Sequence, residues 1–315
     1  MINFALVGVA DDRHRLFVHP VERRRAGVRA VGFSEPDERA RADFSVLHTI
    51  PAFADHRELL ATAEPTMVAV AAPAGDTTRV IIDALAAGVD VIVAPPVTVS
   101  AAGLDSLVDA AADSGRRLAV AHTYRNQAAV RLAREMIDQG RLGRVRQVIL
   151  DAGESVSERE LAAATLEALD LFRWFTGVTA GSVTSPDEAS GLRQTEDVDE
   201  QVIMRVDGRA TAGPARYEVV RSRGLDLTPF LIQVTGDRGT ATWEVDTGNF
   251  RSVLRDRTSP LIPTGLPDDP SPWVLTDLVR RPRPTTTAEE LWTTRIAVLA
   301  GESARQGGST LDWRL

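Results

Sequence analysis

Six residues near the start of the chain, Gly8-Val9-Ala10-Asp11-Asp12-Arg13, follow a short apolar run and precede a helical pattern. Such a turn holds a dinucleotide's pyrophosphate when glycines let the backbone bend tightly and approach the phosphates at a helix N-terminus. Gly8 supplies the first glycine, Ala10 stands at the second position and Arg13 at the third. Asp11 and Asp12 place negative charge where an anion would lie; Arg13 can offset one of them, and Asp12 is equally suited to cap the helix that follows. The turn therefore reads either as a weakened phosphate loop or as a capped strand-to-helix corner. After the second strand, the position that would bond an adenosine ribose is Ser34, followed by Glu35. Serine suits NADP, whose 2′-phosphate also wants an arginine. Glu35 would repel that phosphate and Arg39, one turn on, could compensate. The sequence favours neither NAD nor NADP and leaves their binding open.

A second group, His122, Tyr124 and Arg125, stands at the end of the fifth strand, where ligands of open α/β sheets gather. His122 is a candidate acid or base, or a residue that bonds backbone near a domain junction. Tyr124 is a neighbouring catalytic candidate. Arg125 suits a cofactor carboxamide or substrate oxygen, and equally an interdomain ion pair. Glu167, in a helix rich in alanine and leucine, becomes a general base if burial raises its pKa; the plain expectation is an exposed helical glutamate. Other chemistry is excluded outright. The chain has no cysteine, so disulfides and thiolate nucleophiles or ligands are absent. It has no lysine either, because all 36 basic residues are arginine, so Schiff-base chemistry is impossible. His14, His19, His48 and His56 lack metal-ligand spacing, and no metal site is expected.

These residues are positioned by an α/β arrangement. Apolar strands at Phe4–Val9, Val28–Phe33, Met67–Ala72, Val89–Val93 and Arg117–Ala121 alternate with helical patterns at Asp12–Ala26, Ser34–Asp43, Arg57–Ala63, Thr77–Ala87 and Ala101–Ser114. That alternation predicts a parallel, Rossmann-like sheet over residues 1–121. A helix at Gln127–Gln139 follows. Strands at Val145–Asp151, Gly181–Pro186, Glu200–Val206, Ala215–Ser222, Phe230–Thr235 and Gly239–Val245, interrupted by the helix Ala162–Phe175, predict an α+β domain over residues 122–315 with a large, mainly antiparallel open sheet. Residues 257–284 are rich in proline and read as an irregular loop; Thr287–Gln306 is a last helix, expected near the domain junction.

At 315 residues the chain can bury two cores. A net charge of −8 disfavours nucleic acid and anionic membranes as partners. No apolar run approaches the roughly 18–20 residues of a membrane span, and no secretory pattern opens the chain. A cytoplasmic location is expected.

Several local signatures together resemble the Gfo/Idh/MocA family of NAD(P)-dependent oxidoreductases. Ala72-Pro73 followed by Ala84-Leu85-Ala86-Ala87-Gly88-Val89-Asp90-Val91 is similar to that family's Thr-Pro and Ala-Leu-x-Ala-Gly-x-x-Val pattern. Ala121-His122 with Arg125 resembles its Gly-His-x-x-Arg, and Asp170 to Gly177 its Asp-x-x-Arg-Trp-x-x-Gly helix end. The resemblance implies NAD or NADP beside Gly8, Ala10, Arg13, Ser34, Ala72, Pro73, Pro95 and Arg125. It also implies a small-molecule ligand in an interdomain cleft, and a homodimer or higher oligomer through the second sheet. It exposes a departure as well. Val91-Ile92-Val93-Ala94-Pro95-Pro96 stands where the family carries Glu-Lys-Pro, so Pro95 replaces the lysine that polarises the substrate oxygen. A prolyl ring has no donor and no charge. Glu167 falls at the family's catalytic histidine and Ala163 at its aspartate. The implied protein is a member acting as a binding, regulatory or partner subunit. The alternatives are an active dehydrogenase of a sugar-like or cyclitol-like substrate using Glu167, His122 or Tyr124, and a non-redox enzyme that reuses the cleft.

Overall fold

The computed structural model describes residues 2–10, 12–22, 27–72, 74–98, 100–153, 155–186, 192–194, 199–223, 230–255, 257–258, 262–263 and 287–315. Asp11, Pro73 and most of the proline-rich stretch lie outside them. The chain forms two compact units: Met1–Thr123 with Asp269–Arg295, and Tyr124–Asp268 with Ile296–Leu315.

The first unit is a six-stranded sheet of β1 (Ile2–Val7), β2 (Val28–Ser34), β3 (Ala52–Phe53), β4 (Met67–Val70), β5 (Asp90–Val93) and β6 (Leu118–Val120). Its order is β3-β2-β1-β4-β5-β6, and every pair is parallel. The helices are α1 (Arg15–Glu22), α2 (Glu38–Leu47), α3 (His56–Ala63), α4 (Ala74–Ala86) and α5 (Ala101–Ser114). Strands covered on both faces read as unbroken apolar runs, and all of Met67–Val70 is buried. Phe17 of α1 and Phe44 of α2 join Phe4, Leu6 and Phe33 on one face. Leu59 of α3, Ile81 and Leu85 of α4 and Leu107 of α5 join Ala5, Val68 and Val91 on the other.

In the second unit α6 (Ala128–Asp138), β7 (Val145–Ala152) and α7 (Glu158–Thr176) are followed by β8 (Ala180–Thr184), β9 (Leu192–Gln194), β10 (Asp199–Ala210), β11 (Gly213–Arg223), β12 (Phe230–Gly236), β13 (Gly239–Glu244), β14 (Asn249–Leu254), β15 (Arg257–Thr258) and β16 (Ile262–Pro263). Of two terminal helices, α8 (Thr287–Glu290) belongs to the first unit, and α9 (Trp292–Arg305), which starts there, leads into β17 (Leu311–Arg314) of the second. The sheet order is β15-β14-β13-β12-β7-β11-β10-β8-β17, with β16 on β14 and β9 on β10. β7–β11 is parallel, and the other pairs are antiparallel. α7 packs on one face of this sheet, so alternate residues Val148, Leu150, Tyr217, Val219, Ile232 and Val234 are buried. A reciprocal Ser157–Glu160 capping box starts α7, and Gly177 in the left-handed region ends it.

Three differences from the sequence reading matter. The expected last helix breaks at Leu291 into α8 and α9. β14 and β17 extend the second sheet beyond the strands expected. Within β2 the register against β1 jumps from Phe4–Ala30 to Ala5–Gly32, so Val31 is an extra, bulged residue.

Candidate functional site

At the carboxyl end of the first sheet, β1 runs into Gly8, whose φ is +88°. A Cβ there would lie 2.7 Å from the Ala72 nitrogen and 2.8 Å from its Cα, so glycine is required both by conformation and by the close approach of the chain after β4. Gly8 N–H donates to the Ser34 carbonyl at 2.9 Å. The next two amides point at one carboxylate: Val9 N–H and Ala10 N–H reach Glu35 Oε2 at 2.8 and 3.1 Å. Asp37 N–H donates to Glu35 Oε1 at 3.0 Å. Glu35 is 6% exposed, and its place is fixed by its own N–H on the Phe53 carbonyl and by Arg41, whose guanidinium bonds the Glu35 carbonyl at 2.6 Å. A carboxylate offers about four acceptor positions, and these amides take three.

Ser34 is turned the other way. It is the last residue of β2, 1% exposed, and its hydroxyl has no hydrogen-bond partner. Val31, which has no partner on β1, lies three residues before it in the same strand. One extra residue in β2 moves Ser34 into the strand and brings Glu35 to the first position beyond it. Glu35 is thus the side chain at the strand end that counting along the sequence assigned to Ser34. A bulge leaves no mark in composition; the usable signal was the acid immediately following.

Arg13 lies in a 3-10 turn at Asp12–His14, and its guanidinium donates to the Ala72 carbonyl at 3.0 Å, a group that also accepts from Thr77 Oγ1 at 2.9 Å. Arg13 therefore bridges β1's turn to the segment after β4 and places positive charge at the corner. Ala10 is exposed, and Ala72 is buried. Pro95 and Pro96 follow β5, joined by a cis peptide bond. His122 follows β6, and its Nε2 lies 3.3 Å from Thr293 Oγ1 of α9.

The second unit gathers the remaining candidates. Tyr124 and Arg125 form a 3-10 turn, Tyr124–Asn126. Tyr124 N–H donates to Glu167 Oε2 at 3.1 Å. Glu167 is 8% exposed, which corrects the expectation of a solvated helical glutamate; it faces inward because α7 lays that side along this turn. The Tyr124 phenol is pushed up, first by burial and then by the charges of Glu167 and Asp246. Tyr217, fully buried, donates to the Thr165 carbonyl at 3.3 Å, and burial followed by its Tyr124 neighbour raises it well above its ordinary value. The chain's two tyrosines thus stand together beside Glu167, as neutral groups able to donate hydrogen bonds.

Arg125 is engaged on both sides. Its Nε and Nη2 form a bidentate pair with Asp170 of α7, both at 2.6 Å. Its guanidinium also lies 5.3 Å from the centre of the Trp174 ring. Arg134 stands at the same distance from that ring and donates to the Trp174 carbonyl at 2.7 Å. The pair Arg125–Asp170 lies within one unit and ties the 3-10 turn to α7.

Among the described residues no cluster of three His, Cys, Asp or Glu side chains has the arrangement of a metal site. None of the described helices is long and apolar enough to cross a membrane.

Residues 2–122 match a family described as an oxidoreductase family with a NAD-binding Rossmann fold. A search of curated protein sequences returns no significant match. Solved structures share the fold over the whole chain. An oxidoreductase from Agrobacterium radiobacter in complex with NAD+, L-tartaric acid and magnesium superposes with a TM-score of 0.78 at 16% identity, over 99% of this chain and 98% of that one. The WlbA dehydrogenase from Bordetella pertussis, in complex with NADH and UDP-GlcNAcA, gives 0.74 at 18% identity, over 100% and 99%. A levoglucosan dehydrogenase in complex with NADH and levoglucosan gives 0.75 at 16% identity, over 99% and 98%.

Proposed function

We propose that this chain, whose residues 2–122 match the Gfo/Idh/MocA oxidoreductase family, is an NAD-binding protein that has lost hydride-transfer chemistry and acts as a binding, regulatory or partner subunit. The observation that carries the proposal is the Glu35 carboxylate, held by the Val9, Ala10 and Asp37 amides beside the Gly8 turn. An acid at the end of the second strand is the group that hydrogen-bonds the adenosine ribose of NAD. The same charge repels the 2′-phosphate of NADP. Gly8 keeps the close backbone approach that a pyrophosphate needs, and Arg13 brings a compensating cation. Glu35, Gly8 and Arg13 would hold the cofactor, and Ser34, buried and turned away, would not touch it.

When bound, NAD supplies a hydride acceptor, and oxidation of a hydroxyl then requires protein groups that take its proton and polarise its oxygen. Pro95 provides neither, and the chain has no lysine to replace it. Glu167, at the histidine position, already accepts the Tyr124 N–H. A small polar ligand and a homodimer through the second sheet complete the reading, as in the family resemblance. A second reading, an active dehydrogenase, draws on the buried Glu167 beside Tyr124: an acid near a protonated phenol is a usable base and donor pair. Calorimetric titration separates the cofactors. NAD+ is expected to bind at micromolar concentration with NADP+ at least tenfold weaker, as one lost charge-assisted contact of about 1.5 kcal/mol requires. Equal affinity, preference for NADP+ or absence of NAD+ binding would overturn it.

A further inference from the structure

One end of the second sheet is lined by arginine. Arg255 follows β14, Arg238 lies in the β12–β13 turn, Arg144 and Arg146 flank the start of β7, Arg216 opens β11, and Arg209 closes β10. All but Arg144 are exposed, and Arg144 is half-buried. Pairing fixes them at one end: Leu254 faces Gly239, Gly236 faces Val145, Gln147 faces Arg216, and Arg209 faces Pro214. Among the described residues of these strand ends, two carboxylates answer six guanidiniums. Arg146 Nε bonds Asp237, Arg144 Nε lies 3.6 Å from the same carboxylate, and Arg216 Nε bonds Asp207 at 2.7 Å. Asp237 is held below the usual carboxylate range, chiefly by the hydrogen bond from Arg146, with the Arg146, Arg144 and Arg238 charges adding. This concentration of positive charge belongs to a protein whose net charge is −8.

From β14 to β10 the rim crosses five strand intervals, about 24 Å at ~4.8 Å each. An extended peptide of about seven residues has that length. Guanidinium forks match carboxylates in two-point contacts, as Arg125 and Asp170 already do in this chain. Nucleic acid is a poorer fit. Among the described residues of this end no aromatic ring is exposed for base stacking. We propose that this arginine rim docks an extended, acidic polypeptide segment of a partner protein. The proposal is independent of the cofactor reading.

Fluorescence anisotropy with labelled heptaglutamate tests it on the full chain in low salt. Saturable binding that weakens as salt is added is expected. The exposed double replacement Arg146→Gln/Arg238→Gln should weaken binding about five- to tenfold, as two contacts of up to ~1 kcal/mol imply. Arg79→Gln on α4, also exposed but remote from the rim in sequence, should bind as the parent does. Circular dichroism confirms that each variant is folded. Absence of heptaglutamate binding, undiminished binding by the double variant, or tighter binding of a seven-nucleotide oligothymidylate would each overturn the proposal.

Discussion

Replacing Glu35 tests the site most sharply, because the structure sets separate costs for folding and for ligand binding. In Glu35→Ala three amides lose their acceptor. Ala10 and Asp37 are exposed, so water replaces the carboxylate for their N–H groups. Val9 is 6% exposed, and its N–H is left buried without a partner, which costs about 1–3 kcal/mol. For a unit of this size the melting temperature falls about 2–4 °C per kcal/mol, hence by roughly 2–12 °C. Glu35→Gln keeps an amide oxygen for Val9 and Ala10 and loses only the charge, so about 1 kcal/mol is expected. Ligand effects run differently. Either change should weaken NAD+ by about 10- to 150-fold, the value of a hydrogen bond to a charged acceptor. Either should also narrow the preference over NADP+, since the repelling charge has gone. Thermal melts monitored by circular dichroism and calorimetric titration of both cofactors give the two readouts. A Glu35→Ala protein that melts within about 1 °C of the parent, or an unchanged NAD+/NADP+ ratio, would refute the reasoning.

Other residues make independent predictions. Gly8→Ala forces a side chain into φ +88° and against Ala72; left-handed strain of ~1–2 kcal/mol and overpacking of ~1–3 kcal/mol give a loss of about 2–5 kcal/mol in urea unfolding, and a loss below about 1 would contradict it. Arg125→Leu removes the bidentate partner of Asp170, which is 6% exposed, and should cost about 3–5 kcal/mol; the apolar double variant Arg125→Leu/Asp170→Leu should recover much of that, and a double variant no more stable than the single would argue against a buried-charge penalty. Burial raises the Asp83 pKa, but hydrogen bonds from His56 and Arg57 outweigh it and hold the carboxyl below its ordinary value. A depressed folded value means that the stabilisation is complete above the unfolded value near ~3.9 and is lost as pH falls through the folded one. Asp83→Asn should therefore flatten the acid limb of a melting-temperature-against-pH curve; parallel curves for the two proteins would remove Asp83 from the account.

Much of the frame was legible because the two sheets write different patterns. Parallel strands covered on both faces read as unbroken apolar runs, as in Met67–Val70. The second sheet, covered by α7 on one face, alternates as in Val145–Ala152. α5 spans the expected Ala101–Ser114, with Ser100 capping its start and Gly115 closing its end. What stayed hidden depends on distant partners. β17 is four residues long and gains its identity from pairing with β8, some 130 positions earlier. Glu167 is buried because its acceptor oxygen meets an amide 43 residues away, and helical periodicity carries no trace of that. The exchange of Ser34 for Glu35 hangs on one bulged residue, Val31, which is indistinguishable in sequence from any other strand valine. That Pro95 has no proton to donate needed no structure, since a prolyl nitrogen within a peptide chain carries no hydrogen in any fold.

The central claim is that the frame binds NAD while the chemistry is gone. It is tested most directly by absorbance at the nicotinamide band, with the protein saturated in NAD+ and challenged by a panel of sugars, sugar acids and cyclitols. The account predicts NAD+ binding with no reduction of the cofactor above the rate without protein. Steady, substrate-dependent formation of NADH, abolished by Glu167→Gln in a folded variant, would contradict it and establish the dehydrogenase reading in its place.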